Sequence, residues 1–315
     1  MRIFRSPFSL LLLCAVLPAR ASDTMAFWRG ALDAADRTPP AVIELSPGHL
    51  VFGGPGGLPC QALKASAADL CSMTIVHIQE SEIGPGIAAT AALRDGFLHL
   101  YLSWLPGDLA PTPYTVAGLP DKTQYCLYKS VQCASRALDI APLCGETVSA
   151  KVGLVGEGLG GFAALVLAAL RPEAVGFVLL HQPTPIYHFR PFASAASHGA
   201  AKTATPFDPK LLQLAKSGQC SEDRLRLALA DFDAIALARQ VRCPVLVVYN
   251  DTDPRSPASA LSDLYAALAG PKDAVRFVQP GRVPFASVPG HETIFATFAH
   301  DAIAGEVAAR LGRSR

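Results

Sequence analysis

The chain has 315 residues, enough to bury the core of one large α/β domain without disulfide support. Half of the residues are hydrophobic, 17% are charged, and the formal net charge is +1. This balance, with no run of like charges, excludes a basic surface for nucleic acid, and we expect no nucleic-acid partner.

The first 21 residues have the pattern of a cleaved secretory signal. Two arginines precede an apolar run over residues 8–17, and residues 19–21 spell an A-x-A cleavage site. The apolar run covers about ten residues, whereas a membrane-spanning helix needs roughly 20, so a signal is favoured over a short membrane anchor. We therefore expect residues 1–21 to be removed and the protein to be secreted or periplasmic, without membrane contact afterwards.

Residues 22–72 are rich in proline and glycine, as in TPPAVIELSPGHLVFGGPGGLP. Short apolar stretches between turn residues predict antiparallel edge strands or a meander. We interpret residues 22–72 as an N-terminal segment of unassigned role and residues 73–315 as the main domain.

Strand and helix patterns alternate through the main domain. The strand-like runs are MTIVHI, FLHLYLS, KVGLV, VGFVLL and PVLVVY, which begin at residues 73, 97, 151, 175 and 244. Helical patterns cover residues 122–140, 161–170 and 221–229, with a last helix from about residue 293. Apolar strands separated by helices predict a doubly wound, mostly parallel sheet with helices on both faces. Residues 190–220 are loop-rich, which fits either a pocket-shaping insertion or a disordered connection.

Glycines cluster between the third of these strands and its helix, in VGEGLGG. Gly156, Gly158 and Gly161 spell the dinucleotide fingerprint G-x-G-x-x-G, but the same stretch fits the nucleophile elbow G-x-S-x-G with Gly158 in the place of the serine. A dinucleotide site needs an acidic residue about 20 positions on, at the end of the next strand. That strand ends in His181 and Gln182, so we expect no dinucleotide and no other cofactor.

The elbow interpretation requires an acid after a later strand and then a histidine. The strand PVLVVY leads into NDTDP, which contains Asp253, and His291 lies in the sequence PGHE before the last helix. Either residue alone has an ordinary explanation, as a turn residue or as a structural histidine. Their order and spacing together predict a catalytic acid at Asp253 and a catalytic base at His291, with Gly158 as a vestigial nucleophile position.

At these residues the chain resembles the acetyl xylan esterase and cephalosporin-C deacetylase family of α/β-hydrolases. The resemblance spans about Met73 to Ala304 and is carried by YCLYKSVQCASRALDIA, VGEGLGG, PTPIYHFRP, DFDAIALARQVRCPVLVVYNDTDPRSP, YAALAGPKDAVRFVQP and GHE. It implies an α/β-hydrolase fold, hydrolysis of carboxylic esters such as acetylated sugars, and self-association into homo-oligomers. It also implies that Asp253 and His291 match the triad acid and base, and that Gly158 replaces the serine.

The resemblance places the oxyanion donors at the backbone N–H groups of Leu159 and Gln79. The family's His-Gly-Tyr segment matches residues 77–79, where only the histidine is kept, and its Arg-Gly-Gln-Gly segment is replaced by Trp-Leu-Pro-Gly at residues 104–107. These departures, like the glycine at 158, affect residues that the resemblance assigns to catalysis. The residues of the surrounding scaffold largely match the family.

Two hypotheses from different functional classes follow. In the first, the chain is a secreted pseudo-esterase that binds an acetylated carbohydrate or acyl ligand, with Trp104, Tyr187 and Phe189 lining the pocket. In the second, it is an active carboxylic ester hydrolase that uses an unidentified nucleophile or a water activated by His291. A purely structural protein with a filled pocket is a third alternative.

Seven cysteines follow the predicted signal, and none has a metal-binding spacing, so we expect no metal. In an oxidising compartment some of them should pair, and the pairs considered are Cys133 with Cys144 and Cys60 with Cys71. Cys243, which precedes a buried-looking strand, is expected to be the thiol without a partner cysteine.

Overall fold

The structure is a computed structural model. It describes residues 23–33, 41–54, 59–66, 70–79, 96–102, 116–184, 209–250, 252–253, 255–279 and 283–313. The predicted signal, residues 1–21, lies outside the described residues.

Eleven strands occur in the described residues, nine of them in one long sheet. They are β1 (Val42–Ser46), β2 (His49–Gly53), β3 (Pro59–Ala65), β4 (Leu70–Cys71), β5 (Thr74–Ile78), β6 (Leu98–Leu102), β7 (Glu146–Thr147), β8 (Val152–Glu157), β9 (Val175–His181), β10 (Val245–Asn250) and β11 (Lys272–Phe277). The sheet order is β1-β2-β3-β6-β5-β8-β9-β10-β11, and β4 pairs with β7 separately. Strands β1, β2, β3 and β6 pair antiparallel, and every later neighbour in the sheet is parallel.

Helices connect the parallel strands. They are α1 (23–33), α2 (Cys126–Ile140), α3 (Leu159–Leu170), α4 (Pro209–Lys216), α5 (Glu222–Leu229), α6 (Ala234–Ala238), α7 (Ala258–Ala267) and α8 (His291–Arg313). Two short 3-10 turns cover Ala141–Leu143 and Phe285–Ser287.

The sheet carries a hydrophobic core on each face. On one face Val131 of α2, Phe162 of α3 and Leu237 of α6 belong to the larger buried cluster. On the other face Phe295 and Ala299 of α8 belong to a second buried cluster. Because both faces are covered, every residue of the central strands β5 and β8 is buried. This confirms the predicted doubly wound, mostly parallel sheet with helices on both faces.

The five predicted strands of the main domain are confirmed, with ends that differ by at most two residues. The predicted helix over residues 122–140 starts later, at Cys126. The carboxylate of Asp121 accepts hydrogen bonds from the N–H and the hydroxyl of Thr123, at 2.9 and 2.8 Å. These bonds close a turn, so the helix begins only after it.

The N-terminal segment joins the main sheet. Its strands β1, β2 and β3 are antiparallel, and β3 pairs with β6 from Ala62 opposite Leu102 to Ala65 opposite His99. Helix α1 was not predicted. It packs against the larger core through Trp28, which is fully buried.

The structure contains no disulfide among the seven cysteines that it describes, so the pairs Cys133–Cys144 and Cys60–Cys71 are not formed in it. Cys144, just after the 3-10 turn, donates its S–H to the carbonyl of Ile140 at the end of α2, at 3.2 Å. The sulfur of Cys71 lies 3.5 Å from the hydroxyl oxygen of Ser66. Cys243 is half-buried, and burial raises its pKa to about 12.

Candidate functional site

The predicted site residues follow the carboxyl ends of parallel strands. Gln79 follows β5, Gly158 follows β8, Asp253 lies three residues beyond β10, and His291 comes after β11 as the first residue of α8. The carboxyl ends of parallel strands lie at the same edge of a sheet, which is where α/β proteins build their sites. The topology therefore brings Gln79, Gly158 and Asp253 to one edge, and the position of His291 depends on the path of the segment that precedes it.

Gly158 forms a sharp turn between β8 and α3. Its φ is 61° and its ψ is −122°, a combination that residues with a Cβ rarely adopt. Its N–H donates to the His181 carbonyl at 3.0 Å, and its own carbonyl accepts from the N–H groups of Gly161 and Thr184 at 3.0 and 2.9 Å. The backbone of the turn is thus fixed by the neighbouring strand end.

Two of the clustered glycines, Gly156 and Gly160, lie where an added side chain would clash with the backbone, as the elbow pattern requires. A Cβ on Gly156 would lie 2.7 Å from the carbonyl oxygen of Gly160, and a Cβ on Gly160 would overlap the carbonyl oxygen of Ile78. Gly156 and Gly160 are the two glycines of G-x-S-x-G, and Gly160 is not part of G-x-G-x-x-G. The same overlap shows that the start of α3 lies directly against the end of β5, and Leu159 and Gln79 are the chain neighbours of Gly160 and Ile78.

Asp253 is buried, with 1% of its surface exposed. Its Oδ1 accepts from the N–H of Arg255 at 2.9 Å, and its carbonyl accepts from the N–H of Ser256 at 3.2 Å. The hydroxyl of Ser256 in turn donates to the carbonyl of Pro183 at 2.8 Å, next to the Thr184 that bonds Gly158. The turn that carries Asp253 is therefore linked to the elbow through residues 183–184.

His291 is half-buried and bonded to the backbone. Its Nδ1 lies 3.1 Å from the carbonyl oxygen of Val288, and its ring meets the ring of Phe285 edge-on with centroids 5.8 Å apart. A carbonyl oxygen only accepts, so this contact puts the proton on Nδ1 and leaves Nε2 as the acceptor. In a catalytic triad that same Nδ1–H donates to the acid. In this structure the hydrogen-bond partner of Nδ1 is the carbonyl of Val288.

Glu157 and Gln182 are polar residues of the site that the sequence analysis did not identify. Both are buried at the ends of strands, Glu157 in β8 and Gln182 after β9. Oε2 of Glu157 accepts from the N–H of Phe285 at 3.3 Å, and Oε1 of Gln182 accepts from the N–H of Val283 at 3.3 Å. These two bonds attach the segment that leads into His291 to the elbow edge of the sheet.

His181 lies beside Glu157 on the same face. Glu157 and His181 are register partners of β8 and β9, and Nδ1 of His181 is 3.9 Å from Oε2 of Glu157. The imidazole is fully buried and stacks on Phe277, with ring centroids 5.7 Å apart. His181 is thus packed inside the protein beside an acidic side chain.

His77 lies in a buried stack of rings under α8. Its Nε2 is 2.8 Å from Nδ1 of His99, and its ring is parallel to that of Tyr101 with centroids 4.2 Å apart. Burial, with a smaller contribution from His99, holds the pKa of His77 well below its usual range. His77 is therefore a neutral packing residue at neutral pH. Gln79, two residues later, is half-buried at the strand end.

The predicted pocket aromatics Trp104, Tyr187 and Phe189 lie outside the described residues. Within the part of the chain that is described, no three His, Cys, Asp or Glu side chains are grouped so as to hold a metal ion. None of the helices described there is long and apolar enough to cross a bilayer.

Comparisons with known proteins show what this architecture is similar to. No protein-family profile and no curated protein matches the sequence. The acetyl xylan esterase from Paenibacillus sp. R4 aligns with a TM-score of 0.67 at 20% identity, over 89% of this chain and 94% of that one. Acetyl xylan esterase 1 from Thermoanaerobacterium sp. aligns with a TM-score of 0.66 at 17% identity, over 89% and 92%. Est1E from Butyrivibrio proteoclasticus reaches 0.54 at 13% identity, over 85% and 100%. These likenesses confirm the predicted α/β-hydrolase fold.

Proposed function

We propose that this chain, an α/β-hydrolase by fold, is a secreted pseudo-esterase that binds an acetylated carbohydrate or another acyl ligand. The proposal rests on one observation. The residue at the turn from β8 to α3 has the sharp geometry of a nucleophile elbow, with φ 61° and ψ −122°, and it is a glycine. A glycine supplies the turn but no atom that can attack a carbonyl.

The surroundings of His291 support impaired chemistry. In an active serine hydrolase the histidine takes the proton of the serine hydroxyl, while the acid orients the imidazole. With Gly158 there is no hydroxyl proton for His291 to take, and its Nδ1 faces the carbonyl of Val288. Removing the nucleophile of such an enzyme costs on the order of 10⁶ in turnover.

The parts of the site that bind an ester carbonyl do not depend on the missing hydroxyl. The N–H groups proposed as oxyanion donors belong to Leu159 and Gln79, at the adjoining ends of α3 and β5. The likeness to two acetyl xylan esterases favours an acetylated sugar as the ligand class. Self-association of the chain remains part of this proposal.

Hydrolysis of p-nitrophenyl acetate tests the proposal. We expect the unmodified protein to show no turnover above a buffer blank. The turnover of Gly158→Ser should rise by at least about 10³-fold, because Nε2 of His291 can accept the proton of the new serine hydroxyl. Gly158→Ala is the matched control, since it adds the same strain at positive φ without a hydroxyl. Adding His291→Ala to the serine variant should abolish the gain.

The alternative, an active ester hydrolase with another nucleophile or an activated water, gives a different result. The unmodified protein would then turn over at ordinary esterase rates, and His291→Ala would abolish that activity. Burst kinetics would separate the two routes, because an acyl-enzyme accumulates only with a protein nucleophile. Turnover of this kind in the unmodified protein would contradict the pseudo-esterase proposal.

A further inference from the structure

Two buried cysteines from distant parts of the sequence lie against each other. Cys60 on β3 and Cys133 on α2 are 3% and 4% exposed, and both belong to the larger hydrophobic core. Cys133 is the neighbour with the largest influence on the Cys60 thiol, whose pKa it raises, so the two side chains lie next to each other in the core. The contact joins the N-terminal strands to the main domain.

Independent contacts fix the packing that brings the two thiols together. Cys60 is opposite Phe52 in the β2–β3 ladder, so Gly53 lies beside it on the neighbouring strand. Arg136 is one helical turn after Cys133, on the same face of α2, and its Nε donates to the carbonyl of Gly53 at 3.4 Å. One face of α2 therefore rests on this end of the β2–β3 ladder.

We propose that Cys60 and Cys133 form a structural disulfide that ties β3 to α2 when the chain folds in the presence of a disulfide oxidant. The inference is independent of the proposed function, since it holds equally for an active hydrolase.

The oxidant is a second disulfide, either a small molecule such as glutathione disulfide or a thiol–disulfide oxidoreductase. One cysteine thiolate attacks the oxidant and forms a mixed disulfide, releasing one thiol. The other cysteine attacks that mixed disulfide, the Cys60–Cys133 bond forms, and the second thiol leaves. Two electrons pass to the oxidant, and the two protons lost by the cysteines end on the two released thiols.

The disulfide is expected to form while the chain folds and not in the folded protein. The contact with Cys133 and burial together raise the pKa of the Cys60 thiol far above its usual range. A thiol that is held protonated and buried in the core is a poor nucleophile, so exchange after folding is slow. The bond is therefore expected to be structural and not a reversible switch.

The other cysteines of the neighbourhood are placed differently. Cys126 is seven residues before Cys133 on α2, about 10 Å away by helix geometry and beyond disulfide reach. Cys144 donates to the carbonyl of Ile140, and Cys71 lies beside Ser66. Pairing of Cys133 with Cys60 is thus the specific expectation.

Peptide mapping tests the bond without a mutation. The full chain is denatured, reduced, refolded in a glutathione redox buffer, blocked with N-ethylmaleimide and digested with trypsin without reduction. Each of the eight cysteines falls in a tryptic peptide of its own, with Cys60 in residues 38–64 and Cys133 in residues 130–136. We expect these two peptides joined at a mass that is two hydrogens below their sum. Both cysteines recovered as maleimide adducts, or either one joined to another peptide or to glutathione, would overturn the proposal.

Thermal unfolding gives a second readout. Protein refolded in glutathione buffer should melt on the order of 10 °C above protein refolded in dithiothreitol, because the bond closes a long loop of the unfolded chain. Cys243→Ser, at a half-buried thiol elsewhere, should keep this difference, and Cys60→Ala/Cys133→Ala should lose it. Equal melting temperatures of the unmodified protein in the two buffers would contradict the proposal even if the double variant did not fold.

Discussion

At position 158 a side chain would strain the backbone, but acyl transfer requires a nucleophilic side chain there. A side chain at φ 61° costs about 1–3 kcal/mol, and active enzymes accept that cost to present a nucleophile. With glycine the cost disappears together with the nucleophile. The stability of the fold and the capacity for acyl transfer therefore change in opposite directions at this position.

Alanine substitutions at two glycines separate the cost of backbone strain from the gain in helix propensity that alanine has over glycine. Gly158→Ala should lower the free energy of unfolding by about 1–3 kcal/mol, because it forces a Cβ into the turn. Gly30 is exposed in α1, and a Cβ added there would meet no atom within 4 Å, so Gly30→Ala should raise stability by up to about 1 kcal/mol. Urea denaturation followed by circular dichroism measures both. A stabilising effect at Gly158 would show that the turn is not strained for an L residue.

At the scale of elements, Trp28 is the fully buried aromatic side chain through which α1 packs on the domain. Trp28 contacts Phe232, Tyr128 and Phe162, with ring centroids 5.2, 5.8 and 5.7 Å away. Its Nε1–H donates to the carbonyl of Asp231 at 2.8 Å. The ring thus supplies both apolar burial and a satisfied donor, which is how a buried tryptophan stabilises a fold.

Substitution of Trp28 tests the contribution of α1. Trp28→Ala should lower the free energy of unfolding by about 3–5 kcal/mol, since it leaves a large cavity in the core. Trp28→Phe keeps most of the ring contacts and leaves the carbonyl of Asp231 without this donor, so its cost should be smaller, about 1–3 kcal/mol. Arg29→Ala, at an exposed position of the same helix, is the control and should change stability by no more than about 0.5 kcal/mol. A loss below that size for Trp28→Ala would mean that α1 contributes little.

The elements show which parts of the fold a sequence can predict. Central strands such as β8 and β10 were predicted because strands buried on both faces are continuous apolar runs. Strand β11, KDAVRF, was missed because it lies at the sheet edge and is mostly exposed or half-buried. Helix α1 was missed because its short pattern, next to the predicted signal, does not distinguish it from a loop.

In the candidate site, too, some residues follow sequence patterns and others do not. Gly158, Asp253 and His291 were assigned from the sequence because each follows a recognisable strand or precedes a helix in a fixed order. The bond between Glu157 and the N–H of Phe285 joins residues 128 apart, and no local pattern signals it. Contacts of this kind depend on how strands align and where a loop returns, which a single sequence does not specify.

At the scale of the whole molecule, the pair His77 and His99 couples global stability to pH. The two rings bridge the parallel strands β5 and β6 in the middle of the sheet, and Tyr101 and Phe295 pack against them. Burial makes the protonated form of His77 unfavourable in the folded chain, so its pKa lies well below 6.5 there. The unfolded chain has no such penalty.

The sign of the pH dependence follows from proton uptake. Below pH 6.5 the unfolded chain binds a proton at His77 that the folded chain does not, so the free energy of unfolding falls as the pH falls. For one proton the slope approaches about 1.4 kcal/mol per pH unit, and it levels off below the lowered pKa of the folded state. The slope from His77 fades above pH 6.5, as the unfolded chain also loses the proton.

The variant His77→Gln isolates this contribution, since glutamine keeps a polar group towards His99 but does not titrate. Urea denaturation between pH 7.5 and roughly pH 5 should give a slope for His77→Gln that is lower than that of the unmodified protein by up to about 1.4 kcal/mol per pH unit. His300→Gln is the control, because it removes a histidine that is exposed on α8 and leaves the pair intact. Equal slopes for His77→Gln and the unmodified protein would mean that the folded chain takes up the proton at this pair, and that the sheet opens or rearranges there without unfolding.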